Sequence, residues 1–198
     1  GLCGFCYYVI SKVHLSYNRL YLRGMETVGK KSTKENKKPY QLRREELGLS
    51  RDQASELLES IQPERILRIE NEISFPQPEE VLIMADKYKM PDLCNYYCSN
   101  ECPIGQQYVP EIKIEDLSRI VLKMIASLNS VSKEKDRLIE ITADGTIDGD
   151  EIKDFVHIQE ELEKISITVE TLQLWVEKMI ADGSIDMEIY NTYKNRDE

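Results

Sequence analysis

The 198-residue chain has no apolar run of 18 or more residues, so the sequence predicts no transmembrane helix. It is poor in turn formers, with 9 Gly and 7 Pro, which disfavours a many-stranded sheet. Enzyme signatures are missing too: there is no P-loop, nucleotide-binding glycine cluster, histidine metal pair or nucleophile–base arrangement. We therefore expect a helical protein that is not an enzyme and uses no cofactor.

The net charge of −10 argues against a protein that coats nucleic acid indiscriminately. The charge is unevenly placed, because residues 1–24 and 25–39 each carry +3, whereas residues 40–108 carry −6 and residues 109–198 carry −10. A basic arm thus precedes an acidic body. Local sign matters more than the total for a contact with phosphate.

Residues 1–24 open without Met, contain no acidic residue and do not fit a signal peptide. We interpret them as a non-native upstream segment, with Met25 as the natural start. The Cys3-x-x-Cys6 spacing is then accidental, although it also suits a metal or redox pair. Residues 25–39 are Lys-rich and lack apolar periodicity, which predicts a flexible basic arm.

Residues 40–93 contain a close succession of helix signals. Gly48 suits the position just after a helix end, and Ser50 with Gln53 forms a capping-box pattern. Pro63 suits the first position of a helix, with Gln62 before it. The predicted helices end at Leu47, begin at Arg51, begin at Pro63 and span residues 79–89.

The segments LRREELGLSRDQASELL, ILRIENE and PQPEEVLIMADKY follow one another in this region. Together they resemble the phage-repressor-like helix-turn-helix family of Cro and XRE regulators, over about residues 40–90. The resemblance implies a lambda-repressor-like bundle of four or five short helices whose third helix enters the DNA major groove. It also implies a transcriptional regulator that is bacterial or comes from a mobile element.

The resemblance further implies a set of DNA-binding residues. Arg51 falls where the family contacts phosphate, and the third helix would read bases with its first turns. The lysines of the basic arm would hold the DNA backbone and release counterions. The expected DNA-binding residues are Arg51, Gln62, Glu64, Arg65, Arg68, Lys37 and Lys38.

Residues 94–110 form a connector rich in Cys and Tyr. Cys94, Cys98 and Cys102 are spaced by four, which would align the thiols on one helical face. Three thiolates suit Zn²⁺ or an iron–sulfur cluster, but both normally need a fourth ligand. We expect ordinary cytosolic thiols and no metal, with a metal or redox sensor as the alternative.

Residues 111–198 are acidic and carry two apolar heptad patterns, which predict a long antiparallel coiled-coil hairpin. Lys135 occupies one slot of the first pattern. The same seam would alternatively pair two chains, giving a homodimer, or bind another protein. The predicted seam residues are Leu117, Val121, Met124, Leu128, Val131 and Leu138, then Phe155, Ile158, Leu162, Ile165, Val169, Leu172, Val176 and Met179.

The segment ITADGTID at 141–148 recurs as MIADGSID at 179–186. The first copy echoes an EF-hand, with Asp144, Gly145 and Glu151 at loop positions five, six and twelve. The second copy has Ile189 at position twelve, which cannot supply a carboxylate. We therefore predict helix-ending turns in both places and no calcium site.

The expected function is that of a cytoplasmic, sequence-specific DNA-binding regulator that acts as a homodimer on double-stranded DNA. In the alternative, the helix-turn-helix domain no longer touches DNA and the acidic coiled coil binds another protein.

Overall fold

A computed structural model describes residues 35–194, in which all regular secondary structure is helical. The predicted all-α class is therefore confirmed for this part of the chain. Two compact units are present, and the second comprises Ile112–Glu177. The described part of the first unit comprises residues 35–111 and 178–194.

The described residues form nine helices, six short ones followed by two long ones and a short last one. Their bounds are α1 Pro39–Glu46, α2 Arg51–Leu58, α3 Pro63–Glu70, α4 Pro78–Lys87, α5 Asp92–Asn100, α6 Gly105–Tyr108, α7 Leu117–Ile141, α8 Ile152–Ala181 and α9 Met187–Lys194. No helix in residues 35–194 is both long enough and apolar enough to cross a membrane.

Helices α1–α5 pack around one apolar core because each buries a stripe of apolar side chains. The tightest positions are less than 3 % exposed and come from all five helices, from the α2–α3 turn and from the residue directly after α4. They are Tyr40, Ala54, Leu58, Ile61, Ile66, Ile69, Val81, Met84, Tyr88 and Leu93.

The local signals in the sequence explain where these helices begin and end. Gly48 follows α1 with a φ of +71°, a left-handed conformation that favours glycine. At the start of α2, the Gln53 amide donates to Ser50 Oγ and the Ser50 amide donates to Gln53 Oε1. The predicted capping box is thereby confirmed. Pro63 occupies the first turn of α3, as expected.

The Cys-rich connector is itself largely helical, since α5 and α6 lie within or across residues 94–110. Cys94 and Cys98 are on α5, whereas Cys102 follows its end. At Gly105 a Cβ would collide with the backbone carbonyl of Cys98. Glycine is therefore required for the close approach of α6 to α5.

A buried carboxylate joins the first three helices. Glu70, at the end of α3, is 1 % exposed and accepts hydrogen bonds from both Arg44 and Arg51. Arg44 Nη2 lies 3.0 Å from Glu70 Oε2, and Arg44 also donates to the Leu49 carbonyl oxygen. These contacts compensate the buried charges and set α1, α2 and α3 in one arrangement.

In the second unit, α7 and α8 pack as an antiparallel pair. Arg137 Nε lies 2.8 Å from Asp154 Oδ2, and the Ser130 hydroxyl hydrogen-bonds the carboxylate of Glu161. Both pairs give the same antiparallel register. Each helix is divided into heptads whose seven positions are lettered a to g. The residues that face the partner helix occupy positions a and d. By register and burial they are Ile120, Met124, Ser127, Val131, Glu134, Leu138 and Ile141 in α7, and Ile158, Glu161, Ile165, Thr168 and Leu172 in α8; Thr171 and Leu174 are also buried but lie outside these positions.

The predicted seam is therefore wrong at six residues, of which Phe155 and Val176 are half-buried. The other four are exposed, and we call them the apolar edge: Val121, Leu128, Leu162 and Val169. They are 39 %, 51 %, 44 % and 39 % exposed. These residues occupy position e, beside the seam. The apolar periodicity follows positions a and e, whereas the helices meet along a and d, and the d positions of α8 include the polar Glu161 and Thr168. Leu117, although at position a, is also exposed, at the open end of α7.

Both Asp-Gly repeats end a helix, as predicted. Gly145 and Gly183 have φ values of +77° and +82°, respectively. In each turn the aspartate side chain accepts a backbone hydrogen bond two residues on, from Thr146 to Asp144 and from Ser184 to Asp182. These carboxylates thus serve as local turn acceptors.

We expect Glu70→Gln to lower the free energy of unfolding by about 3 kcal/mol, because it leaves Arg44 buried without full compensation. This figure is at the low end of the range, since Glu45 lies 3.7 Å from Arg44. Urea unfolding followed by circular dichroism measures the effect. Glu46→Gln is the matched control, because the Glu46 side chain is 63 % exposed in its pair with Arg43. Equal stability of the two variants would contradict the role of Glu70.

Candidate nucleic-acid interface

The residues expected to bind DNA are distributed over α2, α3 and the segment before α1. Helix α3 buries Ile66 and Ile69 against the core, so its opposite face is directed to solvent. Gln62, Glu64 and Arg68 are exposed on or beside that face. Glu64 and Arg68, four residues apart, thus lie on one side of α3, whereas Gln62 precedes the helix as its N-cap residue.

Arg51 lies in the first turn of α2 and faces Glu70. Its Nε is 2.8 Å from Glu70 Oε2, and its side chain is 33 % exposed. The guanidinium therefore has a structural partner and also reaches solvent. A phosphate contact by Arg51 is compatible with this pair only through the donors that Glu70 does not use.

Arg65 is held by a dense set of contacts inside the domain. Its Nε lies 2.7 Å from Glu80 Oε1, and its Nη2 lies 2.6 Å from Glu80 Oε2. The same side chain donates to Ser74 Oγ and to the carbonyl oxygen of Phe75. Arg65 consequently fastens α3 and the following loop to α4. A bidentate contact with a base would require it to give up some of these acceptors, because the four bonds leave one of its five N–H groups.

The carboxylate of Glu80 also caps α4, because it accepts a hydrogen bond from the backbone N–H of Gln77 at 2.7 Å. Burial alone would raise the pKa of Glu80. The hydrogen bonds from Arg65 and from the Gln77 amide outweigh that effect, and the pKa of Glu80 is lowered below its usual value.

Lys37 and Lys38 belong to the predicted basic arm, but both are paired within the first unit. Lys37 Nζ lies 2.7 Å from Glu45 Oε2, and Lys38 Nζ lies 2.9 Å from Glu101 Oε1. Lys38 also lies over the ring of Tyr96, 5.8 Å from its centroid. The other lysines expected in the arm, at positions 30, 31 and 34, are outside the described residues.

Sequence reasoning missed an apolar patch beside the exposed face of α3. Leu67 is 36 % exposed, Ile73 is 61 % exposed and Phe75 is 66 % exposed. Ile73 and Phe75 follow the end of α3, where Glu72 adopts a φ of +61° and the Ile73 amide donates to the Arg68 carbonyl. The only sequence signal for Ile73 and Phe75 is that two apolar residues stand in a Pro-containing loop, because no helical stripe includes them.

The exposed face of α3 and the loop after it carry mixed chemistry. Arg68 is the cation, Glu64 and Glu72 are acidic, Gln62 is a neutral hydrogen-bonding group, and the apolar patch adjoins them. A polar glutamine and an arginine are suited to base edges in a major groove. The carboxylates oppose the approach of phosphate, so specific contacts must outweigh that repulsion.

The three cysteines do not form a metal centre in the described part of the chain. All three are partly buried, and residues 35–194 contain no group of three or more His, Cys, Asp or Glu side chains arranged to hold a metal ion. Cys102 Sγ instead accepts a hydrogen bond from the Gly105 amide at 3.4 Å. Its sulfur thereby takes part in the junction between α5 and α6.

Comparisons with known proteins add no family: no family model, no curated protein and no solved structure matches this chain.

We expect Arg65→Ala to lower the free energy of unfolding by about 1–3 kcal/mol, because it removes the charge-assisted hydrogen bonds to Glu80. Arg68→Ala is the matched control on the same helix. Arg68 is exposed, so its replacement should change stability by less than about 0.5 kcal/mol. Urea titrations of the two variants measure these changes in the free energy of unfolding. A larger loss in the Arg68 variant would contradict the assignment of Arg65 as a clamp.

The Arg65–Glu80 pair should also make stability depend on pH. Because the folded-state pKa of Glu80 is lowered, its contribution is present above the unfolded-state pKa and is lost as the pH falls through the folded-state pKa. Wild type should thus be more stable than Glu80→Gln at neutral pH, and the gap should narrow in acid. Thermal melts from pH 7 to pH 3 measure that gap; a gap that widens in acid would exclude the mechanism.

Proposed function

We propose that the chain is a sequence-specific DNA-binding transcriptional regulator that acts in the cytoplasm and dimerises through its C-terminal helices. The fold proposed for residues 40–93 is the lambda-repressor-like helix-turn-helix bundle. The observation that carries the proposal is the arrangement of α2 and α3. A capped helix is followed by a short turn and by a second helix with its polar face exposed.

In this proposal, α3 enters the major groove and Arg68 and Gln62 make the base or phosphate contacts. Arg68 pairs with guanine or phosphate, and Gln62 pairs with adenine. Glu64, on the same exposed side, disfavours phosphate and selects a register in which it faces a base edge. Glutamate accepts a hydrogen bond from the N4 amino group of cytosine, so Glu64 has a chemical partner there.

Arg51, Lys37 and Lys38 contribute the backbone contacts in this proposal. Each is paired with a carboxylate in the free protein. DNA binding therefore exchanges an internal ion pair for a phosphate contact at these positions, which reduces the gain in affinity from each. We expect weaker salt dependence than a count of the basic residues would give.

A second candidate function is a protein-interaction module that keeps this fold without binding DNA. The specific observation in its favour is the apolar patch of Leu67, Ile73 and Phe75 beside the exposed face of α3. Exposed apolar surface next to acidic side chains is typical of a protein partner rather than of DNA. The acidic helices α7 and α8 would then offer a further surface for helix–helix packing.

We expect Arg68→Ala to weaken binding to a DNA sequence selected from a random pool by about five- to 150-fold, the equivalent of about 1–3 kcal/mol for one base contact. Fluorescence anisotropy at about 50 mM salt measures this change. Arg119→Ala is the control, since Arg119 is an exposed cation of the second unit. It should leave the affinity unchanged.

Two results would remove the proposal. One is that wild type shows no affinity for any DNA at low salt, which favours the interaction module. The other is that the Arg68 and Arg119 variants lose equal affinity, because the contact would then be nonspecific attraction between charges.

A further inference from the structure

The apolar edge of the second unit is continuous across both long helices. In an antiparallel pair, the e positions of the two helices lie along the same side of the seam. Val121 and Leu128 of α7 therefore adjoin Leu162 and Val169 of α8. Together they form one apolar strip that the hairpin itself leaves open to solvent.

Charge is almost excluded from this side of the hairpin. Positions e and b of α7 and of α8 up to Val176 comprise fifteen residues, of which Lys135 alone is charged. Since 31 % of the whole chain is charged, four or five charged residues would be expected there. The opposite side of the seam carries cations at position g, including Lys123, Arg137 and Lys164. The uncharged side is therefore a distinct surface.

Four polar residues interrupt the apolar seam of the hairpin. Ser127 and Glu134 of α7 and Glu161 and Thr168 of α8 occupy d positions between the helices. These polar positions reduce the apolar area that α7 and α8 bury between them. An exposed apolar strip of this extent typically marks a site of association.

We propose that the occupant is a second copy of this chain, whose apolar edge packs on the first and closes a four-helix bundle. The surface is about 37 Å long, from 25 residues at 1.5 Å each, and roughly 20 Å wide for two helices. It thus offers roughly 700 Å² per copy, close to the ~800 Å² per partner of a stable interface. A two-fold axis makes the contact closed and self-complementary.

The charges on the second unit support the same occupant. Ile112–Glu177 contains 8 Lys and Arg against 15 Asp and Glu, a net charge of −7. Two such units repel each other unless they meet on an uncharged side, and the e and b positions supply that side. Helix α9 does not suit the surface, because its eight residues span only about 12 Å.

The inference rests on the proposed function in that a dimer would present two reading helices to two DNA half-sites. Its test does not use DNA. Sedimentation equilibrium of the full chain should give twice the 23.0 kDa mass of one copy. Leu128→Lys should give a monomer, because it places a charge in the apolar edge of both copies.

The matched control is Leu122→Lys in the same helix. Leu122 is 68 % exposed but occupies position f, away from the edge, so this variant should remain dimeric. A second pair repeats the comparison in α8: Val169→Lys at position e should dissociate the dimer, and Val156→Lys at position f should not. Far-UV circular dichroism verifies that each variant keeps its helices. If a variant of one helix unfolds, the pair of variants in the other helix decides the test.

A monomeric wild type would overturn the inference, and so would dimers that survive both substitutions in the edge. A monomeric wild type whose melting temperature falls sharply on Leu128→Lys would show that the same chain covers the edge. The two proposals fail separately. A dimer without DNA affinity keeps this inference and removes the regulator. A DNA-binding monomer removes this inference, together with dimerisation through the C-terminal helices, and keeps the DNA-binding activity.

Discussion

The buried carboxylate of Glu70 is the contact on which the first unit depends. It lies at the end of α3 and accepts from Arg44 of α1 and Arg51 of α2, so three helices share one charge centre. A charge placed in a low-dielectric interior is tolerated only when its partners satisfy it. The position of α3 relative to α1 and α2 is consequently specified by electrostatics as well as by the apolar core.

Internal ion pairs also determine which basic side chains remain available on the candidate DNA-binding surface. Most of the basic residues that the resemblance assigns to DNA are paired inside the first unit, with Arg65 on Glu80, Lys37 on Glu45 and Lys38 on Glu101. Arg68 is the exposed cation of α3. A protein of this kind would depend on a few well-placed contacts, because general attraction to phosphate is offset by its many acidic side chains.

Local chemistry made much of the fold predictable from the sequence. Capping boxes, an N-terminal proline and Asp-Gly turns act over a few residues, so Ser50, Pro63 and Gly145 could be interpreted without tertiary information. The fate of Arg65 could not, because Glu80 is fifteen residues away and only the fold brings them together. The exposed Ile73 and Phe75 were missed because they lie in a loop after α3, where no helical stripe indicates burial or exposure.

The hairpin shows a different limit of prediction. Heptad periodicity locates apolar residues correctly, and it predicted both long helices. It does not say which side of the apolar stripe faces the first partner. The polar Glu161 and Thr168 lie in the seam, and Ser130 and Lys164 hydrogen-bond Glu161. Lys164 belongs to the same helix as Glu161, but Ser130 comes from α7, and only the fold brings these two residues together.

The scarcity of charge at positions e and b has a consequence for partner choice. Coiled-coil proteins usually distinguish their partners by attraction and repulsion between flanking charges. The e and b side, with Lys135 as its one charged residue, has almost no charges that could select a partner in this way. Shape and apolar complementarity would have to discriminate instead, and related hairpins with the same apolar stripe would exchange freely into mixed assemblies.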